Sequence, residues 1–202
     1  FDEAKQIVSY LKASSLYKSG QFASAIEYYI AAIKAYKNPL IIANATYWQA
    51  QANYELKEYA LALELFQEAK RLPKFSSLPF AKEIDYHRGY CFFQLKNYPA
   101  AISAFEDFLK QPQTVKYERD ARLRLGDSHF VLKAYWPAMD QYEKVRTLAP
   151  QRAGYAMYQQ AISYGFVNRL AQKIALLKEL IAQFPTSSLV DDCQYELALS
   201  YT

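Results

Sequence analysis

Two cysteines, two histidines and five glycines are all that this chain of 202 residues holds of the types around which metal, redox and nucleotide sites are usually built. Cys91 and Cys193 lie far apart and form no metal or redox motif, and His87 and His129 belong to no ligand-spaced set. Asp191 and Asp192 are adjacent, so on a helix they point about 100° apart and make no acid–base pair. No nucleophile, base and metal set converges in one stretch, so neither an enzyme nor a cofactor or metal is expected. No apolar run approaches the roughly 18–20 residues that cross a bilayer. There is no signal-peptide pattern, and the first residue is Phe1 rather than Met. A trimmed or processed piece is therefore expected, and its compartment is not legible from its start. The net charge of +4 is too mild to demand a nucleic acid or an acidic membrane as partner.

What is present is apolar and aromatic. The chain is 52% hydrophobic and 22% charged, with 19 Tyr and 12 Phe, enough to bury a core and too apolar to stay disordered. The apolar residues recur. Units beginning at Tyr10, Tyr47, Tyr86, Leu123, Tyr158 and Tyr195 are spaced by 37, 39, 37, 35 and 37 residues. A fixed period in this range is the signature of stacked supersecondary units.

The aligned columns have physical meaning. The fourth is small in every copy: Ala13, Ala50, Gly89, Gly126, Ala161 and Ala198. Two helices approach closely where side chains are this short. The eleventh column holds Gly20, Lys57, Lys96, Lys133 and Asn168, at the turn between helices, where Gly and Asn tolerate a left-handed backbone. Then come Phe22, Tyr59, Tyr98, Tyr135 and Leu170; three further on, Ala25, Ala62, Ala101 and Ala138, broken by Lys173; four beyond, Tyr29, Phe66, Phe105, Tyr142 and Leu177. Steps of three and four place these residues on one face of a second helix. Each unit is therefore an antiparallel helix pair. Between units, "KNPL", "LPKFSSLPF", "QPQT", "LAPQ" and "FPTSS" supply Pro and polar caps. The longest, at 72–80, carries two Pro and two Phe and reads as a packed connector.

This pattern of small, turn, aromatic, Ala and aromatic residues resembles the tetratricopeptide repeat over nearly the whole chain. The resemblance implies an all-α fold, a right-handed α-solenoid of antiparallel helix pairs. One solenoid over 1–202 is expected, with units near 6–38, 43–75, 82–114, 119–150 and 154–185 and a partial one at 188–202. It also implies a concave groove that binds a peptide or a partner protein. "FPTSSLVDDCQYELALSY" is similar to the repeats of bacterial cell-envelope proteins, which leans the chain toward the bacterial periplasm or outer-membrane periphery. The periods exceed the family's usual length. Two first-helix columns that are usually large and apolar hold Lys12, Gln49, Arg88 and Gln160, and Leu16, Asn53, Phe92 and His129.

If the first helices face the groove as the resemblance implies, its lining includes Tyr10, Tyr17, Tyr47, Gln51, Tyr54, Tyr86, Tyr90, Arg124, Asp127 and Tyr158. Each tyrosine ring offers roughly 150–250 Å² of apolar area and one hydroxyl. The departing columns leave a second placement open, in which these rings are core between neighbouring helices. The family's cationic clamp for terminal carboxylates is not expected, because its columns here hold Tyr10, Ser14, Trp48, Glu83 and His87 in the first three repeats and Tyr47, Gln51, His87, Asp120 and Arg124 in repeats two to four, neither of them a cationic set. The basic stretch at 116–127 pairs its own charges at i,i+4, Glu118 with Arg122 and Asp120 with Arg124. Glu83, Asp120 and Asp127 break any continuous basic surface, which argues against nucleic acid. The expected function is a non-catalytic scaffold for a protein or peptide ligand. The other reading is a structural spacer or oligomerisation segment of a longer envelope protein. A last helix without its partner would expose apolar surface and self-associate.

Helix packing at about 8–10 Å puts Cys91 and Cys193, three units apart, roughly 25–30 Å from one another, whereas a disulfide needs Cα atoms within about 7 Å. Thiol titration of the unfolded, unreduced monomer is expected to count two free thiols, and an intramolecular disulfide would overturn the repeat register.

Overall fold

Side-chain periodicity of three and four, Pro and Asn at the joints and a small residue at each crossing build helices and little else. The computed structural model describes residues 2–35 and 37–201, apart from the side chain of Asp2. Among them the fold is all-α. Its α-helices are α1 (Asp2–Lys18), α2 (Phe22–Lys34), α3 (Pro39–Glu55), α4 (Tyr59–Arg71), α5 (Ile84–Gln94), α6 (Tyr98–Leu109), α7 (Val115–Val131), α8 (Tyr135–Leu148), α9 (Gly154–Phe166), α10 (Leu170–Gln183) and α11 (Val190–Leu199). Short 3-10 turns lie at Phe75–Ser77, Ala81–Glu83 and Pro150–Arg152. Both cysteines are free and buried.

The chain divides into two compact units, Phe1–Ala104 and Phe105–Thr202. In the first, α1 packs on α2, α2 on α3, α3 on α4 and α4 on α5. In the second, α7, α8, α9, α10 and α11 pack in the same consecutive way. Each neighbour is the next helix in sequence, and within a pair the connection is short, so the two helices of a pair are antiparallel.

The tight turns are alike. Gly20, Lys57, Lys96, Lys133 and Asn168 all have positive φ, between 56° and 76°. In every one the following N–H bonds back across six residues: Gln21 to Leu16, Glu58 to Asn53, Asn97 to Phe92, Ala134 to His129 and Arg169 to Tyr164, at 2.8–2.9 Å. This is the Schellman closure, which satisfies carbonyls that the helix end leaves open. The joints between pairs are capped instead. The Asn38 side chain accepts from the N–H of Leu40 and of Ile41, with Pro39 in the first helical position of α3. Thr114 caps α7 by accepting from the N–H of Tyr117. Gln6, fully buried, donates to the Ala32 carbonyl and accepts from the Asn38 N–H, tying α1 to the α2–α3 joint.

The core follows the columns. Ala13 and Tyr29 share one buried cluster, Ala50 and Phe66 a second, Ala161 and Leu177 a third. A recurring ring pair closes the turn end of four helix pairs: Tyr17–Phe22, Tyr54–Tyr59, Phe93–Tyr98 and Phe130–Tyr135, each edge-on with centroids 5.3–5.6 Å apart. The α9–α10 pair has Gly165 and Leu170 there instead. Lys173 replaces the usual Ala, and its stem runs over Gly165, where an added Cβ would lie 3.2 Å from its Cδ. Its ammonium, 2.7 Å from Glu196, ties α10 to α11. A missing ring makes room for a longer side chain on the facing helix.

Gly126 shows how tight the crossings are: a Cβ there would lie 2.6 Å from Cε1 of Tyr142, whose hydroxyl is held by Asp127. Gly126→Ala is expected to cost about 1–3 kcal/mol in a denaturant melt, the range for overpacking. Gly20 has nothing within 4 Å of an added Cβ, so Gly20→Ala feels only its left-handed φ of 76°, about 1–2 kcal/mol. Gly126→Ala at wild-type stability would refute the close crossing.

Candidate functional site

The tyrosine ladder of the first helices does not form one surface. Tyr47 is the plainest correction: it is 2% exposed and belongs to the core. The cause is the connector at 72–80. Its Phe80 stacks on Tyr47 at 4.1 Å and 21°, and Phe75, itself 3% exposed, lies 6.2 Å away. Phe66 and Trp48 meet the same ring edge-on. Gln51 goes inside with it and donates to the Tyr47 hydroxyl at 3.1 Å. Asp127 is also buried, and its carboxylate accepts from Tyr142, Tyr155 and Arg124 at 3.0, 3.0 and 2.7 Å. None of these three side chains is offered to an open groove.

The remaining predicted residues are half-buried. Tyr54 packs edge-on against Tyr59 and, across α3 and α5, against Tyr90. Tyr90 in turn meets Tyr86, with centroids 5.0 Å apart. Arg124 is held by Asp127. Tyr158 packs at the edge of the α9–α10 core.

Tyr10 and Tyr17 come together in a cleft of about 390 Å³ on α1, α2 and α3. With Ser14, Lys18, Tyr29 and Trp48 they form its lining. Tyr17 meets the Trp48 ring edge-on at 5.2 Å, and Tyr10 tilts against Tyr29 at 6.1 Å. The Tyr10 hydroxyl donates to Asn44 Oδ1 at 3.0 Å, and Ser14 Oγ to the Tyr10 carbonyl at 2.9 Å. Burial pushes the Tyr17 hydroxyl up to about 12, with Glu55 adding to it, so all these rings stay neutral and act as apolar walls.

Trp48 was missed as a site residue, and so was Tyr155, which completes the Asp127 network; Tyr29, 1% exposed, only backs the cleft from the core. Trp48 stands beside Tyr47 in the sequence, one position on, and one helical step of about 100° separates a core ring from a cleft ring. Nothing in the sequence marks which of the two turns outward until the connector is placed on Tyr47.

Two further groups have strongly shifted acidities. His87 stacks on Phe66 at 15° and meets Tyr47 and Tyr86 edge-on; burial among these rings pushes its pKa down to about 3. Burial pushes the Cys91 thiol up to about 12, which keeps it unreactive. Among the described residues, no three His, Cys, Asp or Glu gather as a metal set, and no helix is long and apolar enough to cross a membrane.

A family model described as Tetratricopeptide repeat matches residues 10–77 and 74–114, and a second of the same description matches 155–187. No curated protein sequence matches the chain. Among solved structures, MamA superposes with a TM-score of 0.75 at 19% identity, over 90% of this chain and 92% of that one. YrrB, described as a TPR protein with an unusual peptide-binding site, gives 0.74 at 17%, over 91% and 88%. A tetratricopeptide repeat protein from Parabacteroides merdae ATCC 43184 gives 0.78 at 16%, over 98% of this chain and 74% of its own. At these identities the likeness is one of fold.

Tyr47→Ala is expected to cost about 3–5 kcal/mol of stability, as for other large core truncations; a loss under about 1 kcal/mol would return Tyr47 to the surface. The His87 shift has a sign. The unfolded imidazole takes a proton below about pH 6.5, the folded one only near 3. Stability therefore falls on acidification through that window and is untouched above it. Melts at pH 7 and pH 4.5 are expected to show a smaller loss in His87→Phe than in wild type, and equal losses would contradict a ring held neutral by its aromatic neighbours.

Proposed function

The chain belongs to the tetratricopeptide repeat family, and from that premise we propose that it is a non-catalytic scaffold that binds a peptide or a segment of a partner protein. The supporting observation is the cleft on α1–α3, where Tyr10, Tyr17 and Trp48 stay accessible while Tyr47 beside them is sealed into the core. Rings already packed edge to edge lose little freedom when a ligand docks, so their apolar area is available for binding. Peptide binding by YrrB, a structural neighbour, is consistent with this use of the fold. Of the residues first assigned to the groove, Tyr10 and Tyr17 carry this reading. Tyr54, Tyr86, Tyr90, Arg124 and Tyr158 extend it as accessory contacts.

A structural-spacer role is favoured by one observation, the burial of Tyr47, Gln51 and Asp127, which removes part of the ladder from any ligand. The two readings separate experimentally. The purified chain is used to capture partners from its own cell extract; a captured protein is identified, purified and its affinity measured. Tyr17→Ala is expected to weaken that affinity by about 2 kcal/mol, roughly 30-fold, with the fold checked by its melting curve. Capture of nothing, or an unchanged affinity in a folded Tyr17→Ala chain, would leave the spacer reading.

A further inference from the structure

The cleft on α1–α3 also carries information about the chemistry of its occupant. At about 390 Å³ it lies at the small end of ligand pockets, with room for one large side chain together with the backbone that carries it rather than for a folded element. Two of its polar wall groups are engaged within the protein, the Tyr10 hydroxyl with Asn44 and Ser14 Oγ with the Tyr10 carbonyl, and the surface it exposes is mostly apolar. An entering group therefore gains most by being apolar. A ring gains more than an aliphatic chain, because Tyr17 and Trp48 already present an edge-to-face corner that a further ring can extend. The rim is charged on one side. Lys18 lines the cleft in the last turn of α1; no carboxylate is among its lining residues, and the acid that acts on the Tyr17 hydroxyl, Glu55, belongs to α3. Leu11, seven residues before Lys18 on the same helix face, is 59% exposed and forms an apolar lip.

We propose that this cleft receives a single aromatic side chain from a partner peptide in which an acidic residue stands next to the aromatic one. The ring fills the space between Tyr10, Tyr17 and Trp48, and the neighbouring carboxylate meets the Lys18 ammonium. The charge serves selection more than strength: an exposed pair adds little affinity, but a cation in the same place is repelled. The inference rests on the scaffold reading above and adds to it the class of ligand.

The test uses the full chain with Trp136→Phe, an exposed position, so that Trp48 is the only tryptophan and its emission reports on the cleft. The probes are acetyl-Gly-Glu-Phe-Glu-Gly-amide, the same peptide with Ala for Phe, and the same peptide with Lys for both Glu. The Phe–Glu peptide is expected to shift Trp48 emission saturably, with the Ala and Lys peptides about tenfold weaker. Lys18→Glu should invert the preference between the Glu and Lys peptides, and Leu11→Glu should weaken the Phe–Glu peptide; both changes lie on the exposed rim and leave the melt unchanged. Equal binding of the Ala peptide, no saturable shift with any peptide, or an unchanged charge order in Lys18→Glu would overturn the assignment. If a captured partner still depends on Tyr17 while the peptides do not discriminate, the ligand chemistry fails and the scaffold reading stands. If neither depends on the cleft, both fail.

Discussion

A side chain kept short so that a ring can sit against it is the contact on which the rest depends. At Gly126 the Tyr142 ring lies where a Cβ would be. Ala13 with Tyr29, Ala50 with Phe66 and Ala161 with Leu177 occupy shared buried clusters of the same kind. Close approach brings the two helices of a pair into register. The left-handed turn residue then closes each pair with the same back-bonded geometry, even where it is a lysine rather than a glycine. A lysine in that conformation is held at a cost, which the packing of the pair offsets.

That constraint also sorts the rings. A ring on the first helix, one turn before the joint, is needed to cap its own pair against Phe22, Tyr59, Tyr98 or Tyr135. Such rings are structural on one side and exposed on the other. On α1–α3, three helices leave a gap beside such a ring, and a cleft remains. Where the connector at 72–80 folds its phenylalanines back, the ring that opens the second unit, Tyr47, becomes core.

The periodic features were legible in the sequence. The turn column, the alanine column and the large residue four positions on all appear where the spacing put them, because each is decided within one helix pair. The connector was also recognisable as packed from its two phenylalanines. Its target was not, since contact between Phe80 and Tyr47 spans 33 positions and depends on how the connector folds. Asp127 was misjudged for a similar reason. Its burial depends on Tyr142 and Tyr155, two hydroxyl donors on other helices, and a carboxylate on a half-apolar face reads as solvent-facing until they are in place. Trp48 lies outside the repeating ring column, one helical step from Tyr47, so the repeat does not mark it.

The α9–α10 pair offers the most direct trial of pairwise fit, because it departs from the pattern on both helices at once. Gly165→Phe and Lys173→Ala together would give it the residues of the α7–α8 pair. The decisive measurement is the double-mutant cycle in denaturant stability. Gly165→Phe alone should overpack against the Lys173 stem, and Lys173→Ala alone should leave a gap and strand Glu196. The double variant should recover part of the loss, with a coupling of about 1–3 kcal/mol. Two losses that simply add would contradict the account that small and large residues are matched across each pair.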